Sequence, residues 1–115
     1  MREMTVWFNP KCSKCRGLRE ILESKDLQVD FRHYLEDTPT REEMAALHQL
    51  LGGSPSSLVR LKERRAQELE LEHAGIDRIA EALEVHPELL NRPILVCGDR
   101  AVVARPPELA LALLD

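Results

Sequence analysis

Met4–Phe8 reads as a short buried strand, Asn9 and Pro10 break it, and a helix begins at Ser13 directly behind Cys12. This strand–turn–cysteine–helix junction constrains the fold more than any other stretch of the chain. The helix runs to about Ser24 with Leu18, Ile21 and Leu22 on one face. A second strand follows over residues 27–35, where Val29, Phe31 and His33 alternate with Asp30, Arg32 and Tyr34. Strand, helix and strand in that order imply a parallel pair with a crossover helix.

The middle of the chain changes character. Thr40 and Glu43 have capping-box spacing, and Met44, Leu47 and Leu51 give the next helix an apolar stripe that Gly52 and Gly53 terminate. Ser54 and Pro55 open a short helix carrying Leu58 and Val59. Charge dominates residues 62–72, and Ile76, Ile79, Ala80 and Leu83 mark a further helix closed by Pro87. Sheet structure then returns. Ile94–Cys97 is a continuous apolar strand, Gly98–Asp99 a hairpin turn, residues 101–104 the returning strand, and Pro106–Pro107 open a last helix through Leu114. The sum is βαβ, a helical insertion at about residues 40–91, then ββα. The expected fold is therefore α/β: a single thioredoxin-like domain spanning residues 1–115, its mixed sheet interrupted by helices between the second and third strands.

At 115 residues the chain is long enough to bury one core without covalent staples. Aromatics are only 3% of it, so Leu, Val, Ile and Ala must fill that core, and a base-stacking nucleic-acid surface is not expected. A net charge of −4 argues against general polyanion binding. Within this acidic chain Lys11, Lys14, Arg16 and Arg19 nevertheless cluster around the first cysteine; such a run also suits a solvated helix face. Three cysteines, no secretory hydrophobic segment and no long apolar run point to the cytosol, with no membrane association.

Cys12 falls at or next to a helix N-cap, where unpaired N–H groups and the positive end of the dipole favour thiolate over thiol. Neighbouring Lys11, Lys14 and Arg16 act in the same direction, so Cys12 reads as a nucleophile; a buried structural thiol is the alternative. Cys15 completes C-S-K-C and stands one turn on, placed either to resolve a bond made by Cys12 or to pack with Leu18 in the core. Zinc is not expected, because structural sites need four ligands and no histidine has the matching spacing; Cys97 reads as core. Arg60 follows Leu58–Val59, Arg92 precedes Pro93, and Arg105 precedes Pro106. A guanidinium fork suits a tetrahedral oxyanion, although any one of the three also suits a surface ion pair.

Taken together, FNPKCSKCR, HYLEDTPTREE, Leu58-Val59-Arg60, HPELLNRPI and ARPPE resemble the glutaredoxin-linked arsenate reductase family, which includes the Spx-type redox regulators. The resemblance implies Cys12 as the nucleophile toward arsenate, Cys15 as a second redox thiol, and Arg60, Arg92 and Arg105 as the oxyanion-binding set. It implies a cis peptide at Pro93, no bound cofactor or metal, glutathione as the thiol co-substrate, glutaredoxin or thioredoxin as electron donor, and a monomer. Two positions depart from the common pattern. Phe8 stands where a histidine is usual, and Cys15 resembles the Spx branch. The resemblance thus leaves two other readings beside arsenate reduction: a redox-sensing regulator that binds RNA polymerase, and a thiol reductase of another substrate.

Overall fold

The computed structural model of the protein describes residues 3–114. These divide into two compact units, one formed by the residues up to Asp37 together with those from Arg92 on, the other by Thr38–Asn91.

The first unit holds the whole sheet. Strands β1 (Met4–Phe8), β2 (Asp30–His33), β3 (Ile94–Cys97) and β4 (Arg100–Val103) lie in the order β2-β1-β3-β4. β1 and β2 are parallel, joined through helix α1 (Ser13–Ser24), whereas β3 runs antiparallel to β1 and β4 antiparallel to β3. Gly98, at φ +61°, makes the turn between β3 and β4 in a conformation that costs glycine little. One face of the sheet presents Val6, Phe8, Leu95 and Cys97, which share a core with Cys15, Leu18 and Leu22 of α1 and with Ala110 and Leu113 beyond β4. That terminal segment is a 3-10 turn, Pro107–Ala110, running into the short helix α5 (Leu111–Leu114), where a single helix was expected. Gly17 allows α1 to approach this turn closely: a Cβ there would stand 3.3 Å from Pro107 Cγ. On the opposite face Arg32 stacks on Trp7, 4.7 Å from the ring centroid.

β2 is shorter than the alternation of residues 27–35 suggests. Its end is set by a tight turn, in which the N–H groups of Glu36 and Asp37 donate to His33 O at 3.0 and 2.8 Å. Arg32 braces the turn from within the strand, donating through Nη2 to Asp37 O at 3.2 Å and pairing through Nε with its carboxylate at 3.2 Å. Tyr34 therefore does not continue the strand alternation. It sits at the turn with no exposed surface.

The second unit is helical. α2 (Arg41–Leu51) opens with the capping box: Glu43 N–H donates to Thr40 Oγ1 at 3.1 Å, and Thr40 N–H to Glu43 Oε1 at 2.9 Å. Gly52 ends it at φ +71°. A 3-10 turn, Pro55–Leu58, the short helix α3 (Arg64–Glu68) and α4 (Ile76–Val85) follow. Met44 and Leu47 of α2 and Ile79, Ala80 and Leu83 of α4 are buried, as their helical spacing requires. The charged stretch over residues 62–72 keeps its register through two buried positions, Ala66 and Leu71.

Candidate active site

Topology gathers one end of the sheet. β1 delivers Asn9–Cys12 at its carboxyl end, and β2 delivers Tyr34 at its own. β3 runs the other way, so Arg92 and Pro93 lie at its amino end, where Ile94 pairs with Trp7. β4 returns antiparallel and delivers Arg105 there too, since Val103 pairs with Ile94. Residues as far apart in sequence as Asn9 and Arg105 thus meet where ligands of open α/β sheets bind, outside the carboxyl ends of the parallel strands.

The loop is shaped by Asn9. Its Oδ1 accepts from Lys11 N–H at 3.0 Å, and its backbone oxygen accepts from Cys12 N–H at 3.0 Å, an Asx-type turn that launches α1. Cys12 is the N-cap residue itself, and no acidic residue occupies the first turn of the helix. Its Sγ closes no capping hydrogen bond of full geometry, yet the amides of Cys15 and Lys14 lie close enough to act on it. Burial would raise the Cys12 pKa. The Cys15 amide, the Cys15 thiol, the Lys14 amide and the Arg92 charge outweigh it and bring the thiol down from 9.0 to about 7. The exposed side chains of Lys11, Lys14 and Arg16 are not among these leading influences, so the basic cluster contributes less to the thiolate than the helix terminus does.

Cys15 behaves oppositely. Fully buried, it is pushed up to about 12, first by burial and further by the negative charge of Cys12, against a lowering contact from the Asn9 backbone. The pair therefore holds one charge, on Cys12, with the Cys15 thiol as its donor. Cys97, also a free thiol, is buried in β3.

Both arginines beside the prolines belong to this unit. Arg105 Nη1 donates to Arg92 O at 3.0 Å, which sets the two side by side, and the Arg92–Pro93 and Arg105–Pro106 peptides are both cis. Arg60 lies in the second unit. There its N–H donates to Leu89 O at 2.8 Å, beside a single bridge between Val59 and Leu90, and its Nη1 pairs with Glu63 Oε1 at 2.9 Å. Phe8 is a core residue, edge-on to Phe31 at 5.3 Å with the Arg19 guanidinium 5.2 Å from its ring. A groove lined by Met4, Asp26, Val29, Cys97 and Leu114 lies at the amino ends of β1 and β2, away from Cys12.

Two residues of the site escaped the sequence reading, Asn9 as the loop organiser and Tyr34 as a buried neighbour. A signal for Tyr34 was present: it is the only tyrosine of a chain very poor in aromatic residues.

The profile of the ArsC family matches residues 7–113. The chain belongs to the ArsC family. It is 33% identical over 111 residues to a protein named arsenate reductase from Neisseria meningitidis, covering 94% of this chain and 95% of that one. It is 37% identical over 111 residues to a Streptomyces viridochromogenes protein described only as uncharacterized and in the glnII region, covering 91% and 93%. A solved structure titled arsenate reductase from Vibrio cholerae superposes with a TM-score of 0.90 at 35% identity, covering 96% of this chain and 97% of that one. This ArsC chain thus shares the thioredoxin-like fold of that structure over nearly its whole length. Among its described residues no helix is long and apolar enough to cross a membrane.

Proposed function

We propose that this protein reduces arsenate to arsenite, with Cys12 as nucleophile and glutathione and glutaredoxin as the source of electrons. The observation that carries the reading is a cysteine at a helix N-cap, with a pKa near 7, in an electrostatic field that includes Arg92. The relatives named arsenate reductase support the choice of substrate. Arg92, Arg105 and Arg60 are the proposed oxyanion ligands. Their positive charge offsets the repulsion between a thiolate and an arsenate anion and stabilises the charge of the transition state.

The Cys12 thiolate attacks arsenic; an As–S bond forms, and one arsenate oxygen leaves as water after taking up protons. Glutathione thiolate then attacks the Cys12 sulfur. An S–S bond forms, the electron pair of the As–S bond stays on arsenic, and arsenic departs in the trivalent state as arsenite. Two thiols have become one mixed disulfide, which the glutaredoxin dithiol reduces. Cys15, buried and held protonated, is suited to stabilise the Cys12 sulfur by donation and poorly suited to attack it in the resting enzyme.

The test is arsenate-dependent NADPH oxidation coupled through glutathione, glutaredoxin and glutathione reductase, with Cys12→Ser as control. Turnover that vanishes in the control is the expected result. Silence of the parent protein with both glutaredoxin and thioredoxin would overturn the reading in favour of the redox regulator or another substrate.

A further inference from the structure

Tyr34 is a buried side chain with a polar group at this end of the sheet that the reduction steps above leave without a task. Its ring has no exposed surface, and its hydroxyl has no hydrogen-bond partner among the described residues. The turn that carries it is braced at several points, by the His33 carbonyl and by Arg32 with Asp37, so the ring is held where it is. Parallel pairing of Phe8 with His33, continued by one residue, puts Tyr34 beside Asn9 at the root of the Cys12 loop. Burial is the largest influence on its hydroxyl and keeps the phenol protonated; the Arg92 charge, the Cys15 thiol and Cys12 act on it as well. Asn9 is the neutral neighbour. Its influence is that of a donor toward the phenol oxygen, while its own Oδ1 is taken by Lys11 N–H. Among the described residues the phenol hydrogen has no acceptor.

A buried donor without an acceptor is unfavourable, and natural structures rarely keep one for packing alone, since phenylalanine would fill the same space. We propose that Tyr34 is a further catalytic residue, its hydroxyl donating to an oxygen of the oxyanion as that anion meets Cys12. Arginine supplies charge there; the phenol supplies a neutral donor of fixed direction that stays protonated throughout the working pH range. This rests on the oxyanion-reduction reading above and adds a ligand to it.

The experiment compares Tyr34→Phe with the parent protein. The substitution removes one oxygen and keeps the ring. Thermal unfolding is measured for each without anion and across an arsenate titration, and kcat/KM for arsenate is measured in the coupled assay. The expected result is an anion-free Tm equal to or above that of the parent, a smaller arsenate-induced rise in Tm, and a kcat/KM lower by roughly tenfold to a hundredfold, the range for losing a hydrogen bond to a charged group. Unchanged arsenate affinity and kcat/KM would overturn the proposal while leaving the reductase reading intact. So would an anion-free Tm that falls with arsenate affinity unaltered, because the hydroxyl would then be structural. A parent protein that neither turns over arsenate nor responds to it in unfolding would overturn the reductase reading itself, and the role of Tyr34 with it.

Discussion

Cys12 should titrate near pH 7, and the residues that set this value should rank in a definite order. A thiol of pKa 9.0 is only about 1% ionised at pH 7, whereas one of about 7 is half ionised. The gain in reactivity is smaller than that fifty-fold ratio. Nucleophilicity falls with pKa at a Brønsted slope of ~0.4–0.5, which over two units removes roughly sixfold to tenfold and leaves about fivefold to eightfold. The pH at which alkylation inflects is therefore the sharper observable than its absolute rate. Removing the Cys15 thiol with Cys15→Ala deletes a donor to the charged sulfur. At the low end for such bonds, ~1.5 kcal/mol, this raises the Cys12 inflection by about one unit. Cys15→Ser keeps a donor and should leave the inflection low. Arg92→Met removes a smaller influence and should raise the inflection by less than Cys15→Ala does. The assay is the rate of iodoacetamide modification against pH, read by intact mass and peptide mapping. Cys15, at about 12, stays silent over the range. An inflection at or above the ordinary thiol value in the parent protein would refute the helix-terminus argument. A larger effect from Arg92→Met than from Cys15→Ala would show that the arginine charge, and not the Cys15 thiol, is the stronger of the two.

Two further outcomes follow from the same geometry. Cys15→Ser should retain turnover driven by glutathione and glutaredoxin to within a few-fold, because a buried thiol held protonated is not the attacking group; a loss of an order of magnitude or more in the coupled assay would instead establish an internal relay. In the second unit, Thr40→Ala removes the Oγ1 that accepts from Glu43 N–H, leaves the backbone half of the capping box, and should lower stability by about 1 kcal/mol, read as the change in urea midpoint at constant slope.

Much of this protein is local chemistry and could be read along the chain. The apolar spacing of α1, the capping box of α2 and the Gly98 turn each depend on neighbours a few residues apart. So does the position of Cys12, which follows from a strand that must stop at Asn9–Pro10 and a helix that starts at Ser13. Tertiary structure decided the rest, because burial and field depend on what the sheet order brings together. Sequence places Cys12 at the helix start and leaves Cys15 as either a second redox thiol or a core residue. They separate in pKa because one sits at the helix terminus in reach of amides and Arg92, and the other is sealed beneath it. Tyr34 reads in sequence as one more residue of an alternating strand, in register with Asp30 and Arg32. The antiparallel return of β3 and the turn after His33 put it instead in the dark, beside the charges of the site. Period-two patterning ends where a strand ends, and only the fold shows where that is.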